Sequence, residues 1–150
     1  MELDDLTRPA IEAHLREHLS DMRSVSPPES VHALDLDALR ASNIRFWSAW
    51  SGEDLAGTVA LKDLGDGDVE LKSMRTSAAV RGQGLGRRML AHVLEEARAG
   101  GARRVLLETG AEPYFEPARK LYATAGFAVR GPFAQYVVDP NSVYMELNLS

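Results

Sequence analysis

The stretch that most constrains this chain is Arg81-Gly82-Gln83-Gly84-Leu85-Gly86, a glycine-rich turn between a strand pattern and a helix pattern. A strand that feeds through such a turn into a helix leaves unpaired backbone N–H groups at the positive end of the helix dipole, where a pyrophosphate fits. Gly82, Gly84 and Gly86 present no side chain to block that approach, and Arg81, Arg87 and Arg88 add guanidinium partners for phosphate oxygens. Two familiar phosphate motifs fit badly. No Gly-Lys-Ser/Thr follows for a P-loop, and the spacing is G-x-G-x-G rather than the G-x-G-x-x-G of a dinucleotide fold. Taken alone, the turn is as well explained by a tight helix start as by a bound anion.

The flanking elements decide how the turn is read. Thr7 and Pro9 suit a helix start, and Ile11, Leu15, Leu19 and Met22 share one helical face. Ser26-Pro27-Pro28-Glu29-Ser30 breaks that helix, and Leu34, Leu36 and Leu39 predict a short second one. Ile44 to Trp50 and Leu55 to Leu61 read as a hairpin closed at Ser51 to Asp54. A turn at Asp63 to Asp68 then leads to a third strand, Val69 to Thr76. Beyond the glycines, Leu85, Met89, Leu90, Val93, Leu94 and Ala97 mark an amphipathic helix stopped by Gly100-Gly101. Val105-Leu106-Leu107 has the continuous apolar character of a strand buried on both faces. A compact helix from Pro117 to Ala125 ends at Gly126, and Val143, Met145, Leu147 and Leu149 alternate as in a half-buried strand. The order predicts one α/β (α+β) domain over residues 1–150, with a mixed central sheet flanked by helices.

Composition narrows the function. The net charge of -5 argues against a nucleic-acid partner, which would need a clustered basic face. Cysteine is absent, so thiolate nucleophiles, disulfides and cysteine-based zinc sites are excluded together. The acidic start Met1-Glu2-Leu3-Asp4-Asp5 is unlike a secretory signal and no run reaches transmembrane length, so no membrane partner and a cytoplasmic location are expected.

Arg81-x-x-Gly84-x-Gly86 resembles the acetyl-CoA-binding pattern [Q/R]-x-x-G-x-[G/A] of the GNAT acetyltransferases. Ala118-x-x-Leu121-Tyr122-x-x-x-Gly126-Phe127 resembles the same superfamily's second block. The element order is similar over nearly the whole chain, while the specific motifs lie between Glu70 and Phe127. The segments Pro27 to Asp35 and Asp139 to Val143 are similar to a small bacterial branch labelled YsnE-like.

The resemblance implies acetyl-CoA as donor, no metal, and direct attack by a primary amine of a small molecule or peptide. It also admits a homodimer. It puts the cofactor along Met74, Arg75, Thr76, Arg81, Gly82, Gln83, Gly84, Leu85, Gly86 and Arg87, with the Met74 backbone N–H as oxyanion donor. Tyr122 falls where the family has its general acid, and a phenol with a pKa near ~10 is protonated at neutral pH. Glu70 falls where members often carry a general base, although a solvated carboxylate on a strand edge explains it equally well. Phe115 stands where many members carry an asparagine, so that asparagine's cofactor contact is not carried over. The acceptor pocket is expected between the Ser26 to Asp35 loop, the hairpin around Trp47 and the Phe133 to Asn141 loop. Trp47, His32, Tyr136 and Asp139 are candidates there, each equally explained by packing or a turn.

Two rival readings stand beside this one. His14-Leu15-Arg16-Glu17-His18 spells H-x-x-E-H, an inverted zinc-peptidase motif, but no obvious third ligand helix follows, and two solvated or partly buried histidines account for it. The other rival keeps the fold and removes the chemistry, leaving an acyl-CoA-binding sensor or interaction module.

Overall fold

A computed structural model describes residues 1–3, 6, 8–25, 39, 41–77, 84–134 and 136–149. The β-branched and aromatic run from Ile44 pairs with the chain that returns after Gly52, whose φ of 61° closes a tight turn. This gives β2 (Ile44–Ser51) and β3 (Asp54–Gly65), and β4 (Asp68–Thr76) completes the antiparallel meander. The turn expected from Asp63 to Asp68 is tighter than that, because β3 continues to Gly65 and only Asp66 and Gly67 lie between it and β4, with Gly65, Asp66 and Gly67 all at left-handed angles. A two-residue strand, β1 (Glu2–Leu3), pairs with Trp47 and Ser48. It is too short to leave a periodic signature.

The glycine turn opens α2 (Leu85–Ala99), which returns the chain to β5 (Arg104–Gly110), parallel to β4. A 3-10 turn at Pro113–Phe115 leads into α3 (Glu116–Thr124), with a proline in the first turn of each. The short β6 (Ala128–Arg130) and β7 (Ser142–Asn148) finish a mixed sheet that has, among the described residues, seven strands in the order β1-β2-β3-β4-β5-β7-β6. Gly126 ends α3 at φ 105°, and the Phe127 amide bonds back to the Tyr122 carbonyl at 3.0 Å, so the buried Phe127 ring meets Tyr122.

The two faces of the sheet are covered differently. On one, Leu61, Leu71, Val105, Leu107 and Met145 pack against Met89, Val93 and Ala97 of α2 and Tyr122 of α3. Met89 is completely enclosed, and truncating such a side chain costs about 2–5 kcal/mol. The other face is split. α1 (Pro9–Val25) lays Ile11 and Leu15 over Phe46 and Ala60 at the meander end. The segment 131–141 lays Phe133 and Tyr136 over Leu106 and Tyr144 at the other. β4 runs between these two covers. The expected helix around Leu34 to Leu39 and the loop from Ser26 lie outside the described residues, apart from Leu39 itself, which is buried beside Ile11.

Candidate active site

β4 does not alternate simply along its length. Val69 and Leu71 face α2 and α3, while Glu70 and Lys72 face the other way. At Ser73 the backbone takes φ 53°, and two residues of β4, Ser73 and Met74, oppose the single Val59 of β3. This β-bulge resets the alternation. Met74 returns to the α2 face, and Arg75 points to α1, where it bonds Glu17 at 2.8 Å. The extra carbonyl, on Ser73, accepts a hydrogen bond from the buried Thr58 hydroxyl at 3.1 Å.

The same strand also parts from its neighbour. The parallel ladder between β4 and β5 runs from Asp68 opposite Arg104 to Leu71 opposite Leu107 and no further. Beyond it β4 continues to Thr76 and β5 to Gly110, so a wedge opens between their C-terminal ends, directly beside the bulge. In open α/β sheets ligands enter at the carboxyl ends of strands, where neighbours separate.

Three elements meet at the mouth of that wedge. Gly84, with φ 78°, caps α2 in the left-handed conformation that glycine adopts without strain. A Cβ built on Gly86 would touch Leu121 of α3 at 3.5 Å, Met74 at 3.9 Å and Thr76 at 4.0 Å. These are ordinary van der Waals distances, so Gly86 marks the point where the helix start, α3 and the bulged strand meet. Leu85 is half-buried and packs on the core, while Arg87 and Arg88 are exposed on the first turn of α2. Arg81, Gly82 and Gln83 lie outside the described residues.

Tyr122 follows Leu121 and is 7% exposed, its ring 5.7 Å from that of Phe127. Burial pushes its phenol well above the ordinary tyrosine range, so it holds its proton. Phe115 stacks on Gly110 at the end of β5, leaving no room for a side chain there. Arg119 locks the same loop, donating to the carbonyls of Gly110 at 2.6 Å and Glu112 at 3.0 Å.

Glu70 is not a solvated strand-edge carboxylate. It is 3% exposed, and its Oε2 accepts from the Tyr136 hydroxyl at 2.6 Å and from Lys72 Nζ at 3.1 Å. Lys72 also donates to the Tyr136 oxygen at 3.0 Å, closing a triangle. Burial first, and then the Glu70 carboxylate, raise the Tyr136 phenol far above its usual range. Among the loop candidates, Tyr136 touches another site residue, Glu70. Trp47 instead lies in the core, edge-on to His92 of α2, and Asp139 is a turn residue that accepts from the Asn141 amide at 2.8 Å. His32 lies outside the described residues. Lys72 was not foreseen, because a lysine on a strand carries no mark of its 9% side-chain exposure, and one of its two partners, Tyr136, lies 64 residues away.

Within the H-x-x-E-H pattern, His14 and Glu17 have different surroundings. His14 is buried under α1, whereas Glu17 is mostly exposed and turns to Arg75. Among the described residues no cluster of His, Asp and Glu could hold a metal ion, and no helix is long and apolar enough to cross a membrane.

A bulged strand splayed from a parallel neighbour, with a glycine-capped helix at the opening, makes a mixed α/β sheet open at its carboxyl end. The chain belongs to the acetyltransferase (GNAT) family, whose family model matches residues 11–127. N-acetyltransferase YsnE of Bacillus subtilis is 50% identical over 99% of both chains. A Klebsiella pneumoniae structure described as an acyl-CoA N-acyltransferase superposes with a TM-score of 0.81 at 25% identity, covering 99% of this chain and 96% of that one. A Bacillus subtilis acetyltransferase solved in complex with CoA gives 0.69 at 20% identity, covering 99% and 97%.

Proposed function

We propose that this chain is an acetyl-CoA-dependent N-acetyltransferase that passes the acetyl group directly to a primary amine of a small molecule or peptide. The observation that carries the proposal is the meeting of bulge, helix start and α3 around Gly86, which gathers both motif blocks at one opening. Family membership and a like-folded acetyltransferase solved with CoA support the donor.

In this reading the pyrophosphate lies on the first turn of α2, held by the N–H groups of Gly84, Leu85, Gly86 and Arg87 together with Arg81, Gly82 and Gln83. The pantetheine arm follows β4 into the wedge. Met74 and Thr76 line its α2 side, and Arg75 offers only its backbone, since its side chain is committed to Glu17. The Met74 N–H, released from regular pairing by the bulge, stabilises the oxyanion.

Glu70 and Tyr122 stand on opposite faces of the sheet, which separates the two proton transfers. The amine approaches from the face of Glu70 and its lone pair forms the C–N bond. The nitrogen's surplus proton passes to the Glu70 carboxylate, directly or through a water. As the tetrahedral intermediate collapses the C–S bond breaks, and the thiolate takes the Tyr122 proton. The products are the acetamide and CoA thiol.

Thiol release from acetyl-CoA across amino acids, polyamines, aminoglycosides and peptide N-termini, with mass detection of the product, tests the reading. The expected result is an acetylated amine heavier by one acetyl group. Tight acetyl-CoA binding with no turnover on any acceptor would refute it in favour of a sensor.

A further inference from the structure

Glu70 is tied to two groups that the proposed reaction does not use. Lys72 comes from its own strand, just past the last β4–β5 rung, and Tyr136 comes from the segment 131–141 on the acceptor side. All three bonds of the triangle are short, at 2.6, 3.0 and 3.1 Å, and the Lys72 and Glu70 side chains are 9% and 4% exposed. Tyr136 is itself fixed. Its ring packs 5.0 Å from Phe133 and 5.7 Å from Tyr144, and the Tyr144 hydroxyl anchors the segment by donating to the Val137 carbonyl at 2.8 Å. Both donors converge on Oε2, and among the described residues no hydrogen bond falls on Oε1.

We infer that Lys72 and Tyr136 are positioning residues that clamp Oε2 of Glu70 and so present Oε1 to the acceptor amine. The inference rests on the proposed role of Glu70 as base and adds how that base is aimed. A carboxylate on a flexible arm samples several rotamers, whereas one gripped at a single oxygen by two buried donors keeps the other in a fixed direction. The arrangement has a second consequence. Lys72 balances the Glu70 charge inside the sheet face, so the clamp leaves no unpaired buried carboxylate while the acceptor is absent. It also joins the floor of the wedge to its acceptor-side wall, because Tyr136 can seat on Glu70 only when the segment 131–141 lies down over β5 and β7.

A double-mutant cycle in the full chain tests this. Lys72→Met, Tyr136→Phe and Glu70→Gln are made singly, and each of the first two is combined with the third. kcat and KM are measured with acetyl-CoA and the fastest amine of the panel, or with water as acceptor if no amine turns over. The expected result is a loss of about tenfold or more in kcat for Lys72→Met and Tyr136→Phe, acetyl-CoA KM within about twofold, and no further loss of either in the Glu70→Gln background. Lys72→Arg, which keeps a donor and the charge, should restore part of the rate. Equal losses with and without Glu70 would mean that the two side chains only support the fold, and would overturn the inference. Full turnover in Glu70→Gln alone would remove the base itself, a separate failure that leaves nothing to aim. Thermal unfolding of each variant identifies any loss of rate that comes from loss of folded protein.

Discussion

Gly110→Ala offers a sharp test of how the end of β5 is built. A Cβ there would overlap the Cδ2–Cε2 edge of the Phe115 ring, too close for any real contact. The ring has little freedom to retreat. Tyr114 lies edge-on to it at 4.9 Å, and the Arg119 guanidinium binds the carbonyls of Gly110 and Glu112 on either side of the loop. Overpacking of this kind costs about 1–3 kcal/mol, which for a domain of this length lowers the melting temperature by roughly 2–12 °C. Calorimetric unfolding of Gly110→Ala in two backgrounds separates the cause. In Phe115→Ala the obstruction is gone, and the same substitution should be neutral or stabilising by about 0.5 kcal/mol, as for an alanine replacing a strand glycine. An equal cost in both backgrounds, or none in the parent, would refute the packing argument.

Tyr122→Phe keeps the buried ring against Phe127 and removes only the hydroxyl; it should lower kcat about 100-fold or more with acetyl-CoA affinity unchanged, as read by steady-state kinetics and calorimetric titration. Gly84→Ala puts a side chain at φ 78° and should cost about 1 kcal/mol in thermal unfolding. Arg104, through a 2.6 Å hydrogen bond, holds the Asp68 carboxyl below its ordinary 3.8; that contribution is present above pH 3.8 and lost as pH falls through the lowered value, so Asp68→Asn should flatten the acid side of the stability profile. Burial raises the Tyr122 and Tyr136 phenols, which favours folding below the ordinary value of 10.0 and is lost as pH rises past it; their absorbance at high pH should change only with unfolding.

Local chemistry made much of this legible. The apolar spacing of α2, its stop at Gly100 and the alternation of β7 are written in neighbouring residues, and each stands where the pattern put it. Glu70 and Tyr122 could be singled out, yet only packing reveals that Glu70 is buried and held. Tyr136 stands out as a pocket candidate, but its bond to Glu70 spans 66 residues and so leaves no local mark, and neither does the burial of Lys72. Trp47 had the chemistry of a pocket residue but falls on the α2 side of β2, a choice of face that a strand of mostly apolar residues leaves open. Nor does a serine in a strand announce a bulge, because the left-handed angle at Ser73 is imposed by the register of β3 against β4.

That one irregular residue sets the phase of the strand. Before it, even-numbered positions look toward the acceptor side; after it, odd-numbered ones do. Were Ser73 to pair as a regular strand residue instead of bulging, everything downstream would exchange sides, driving the Arg75 guanidinium into the α2 core and turning Met74 and Thr76 out toward α1. The chain could keep every motif that marks its family and still lose the site, because the motifs name the parts while a single unpaired position decides which way they point.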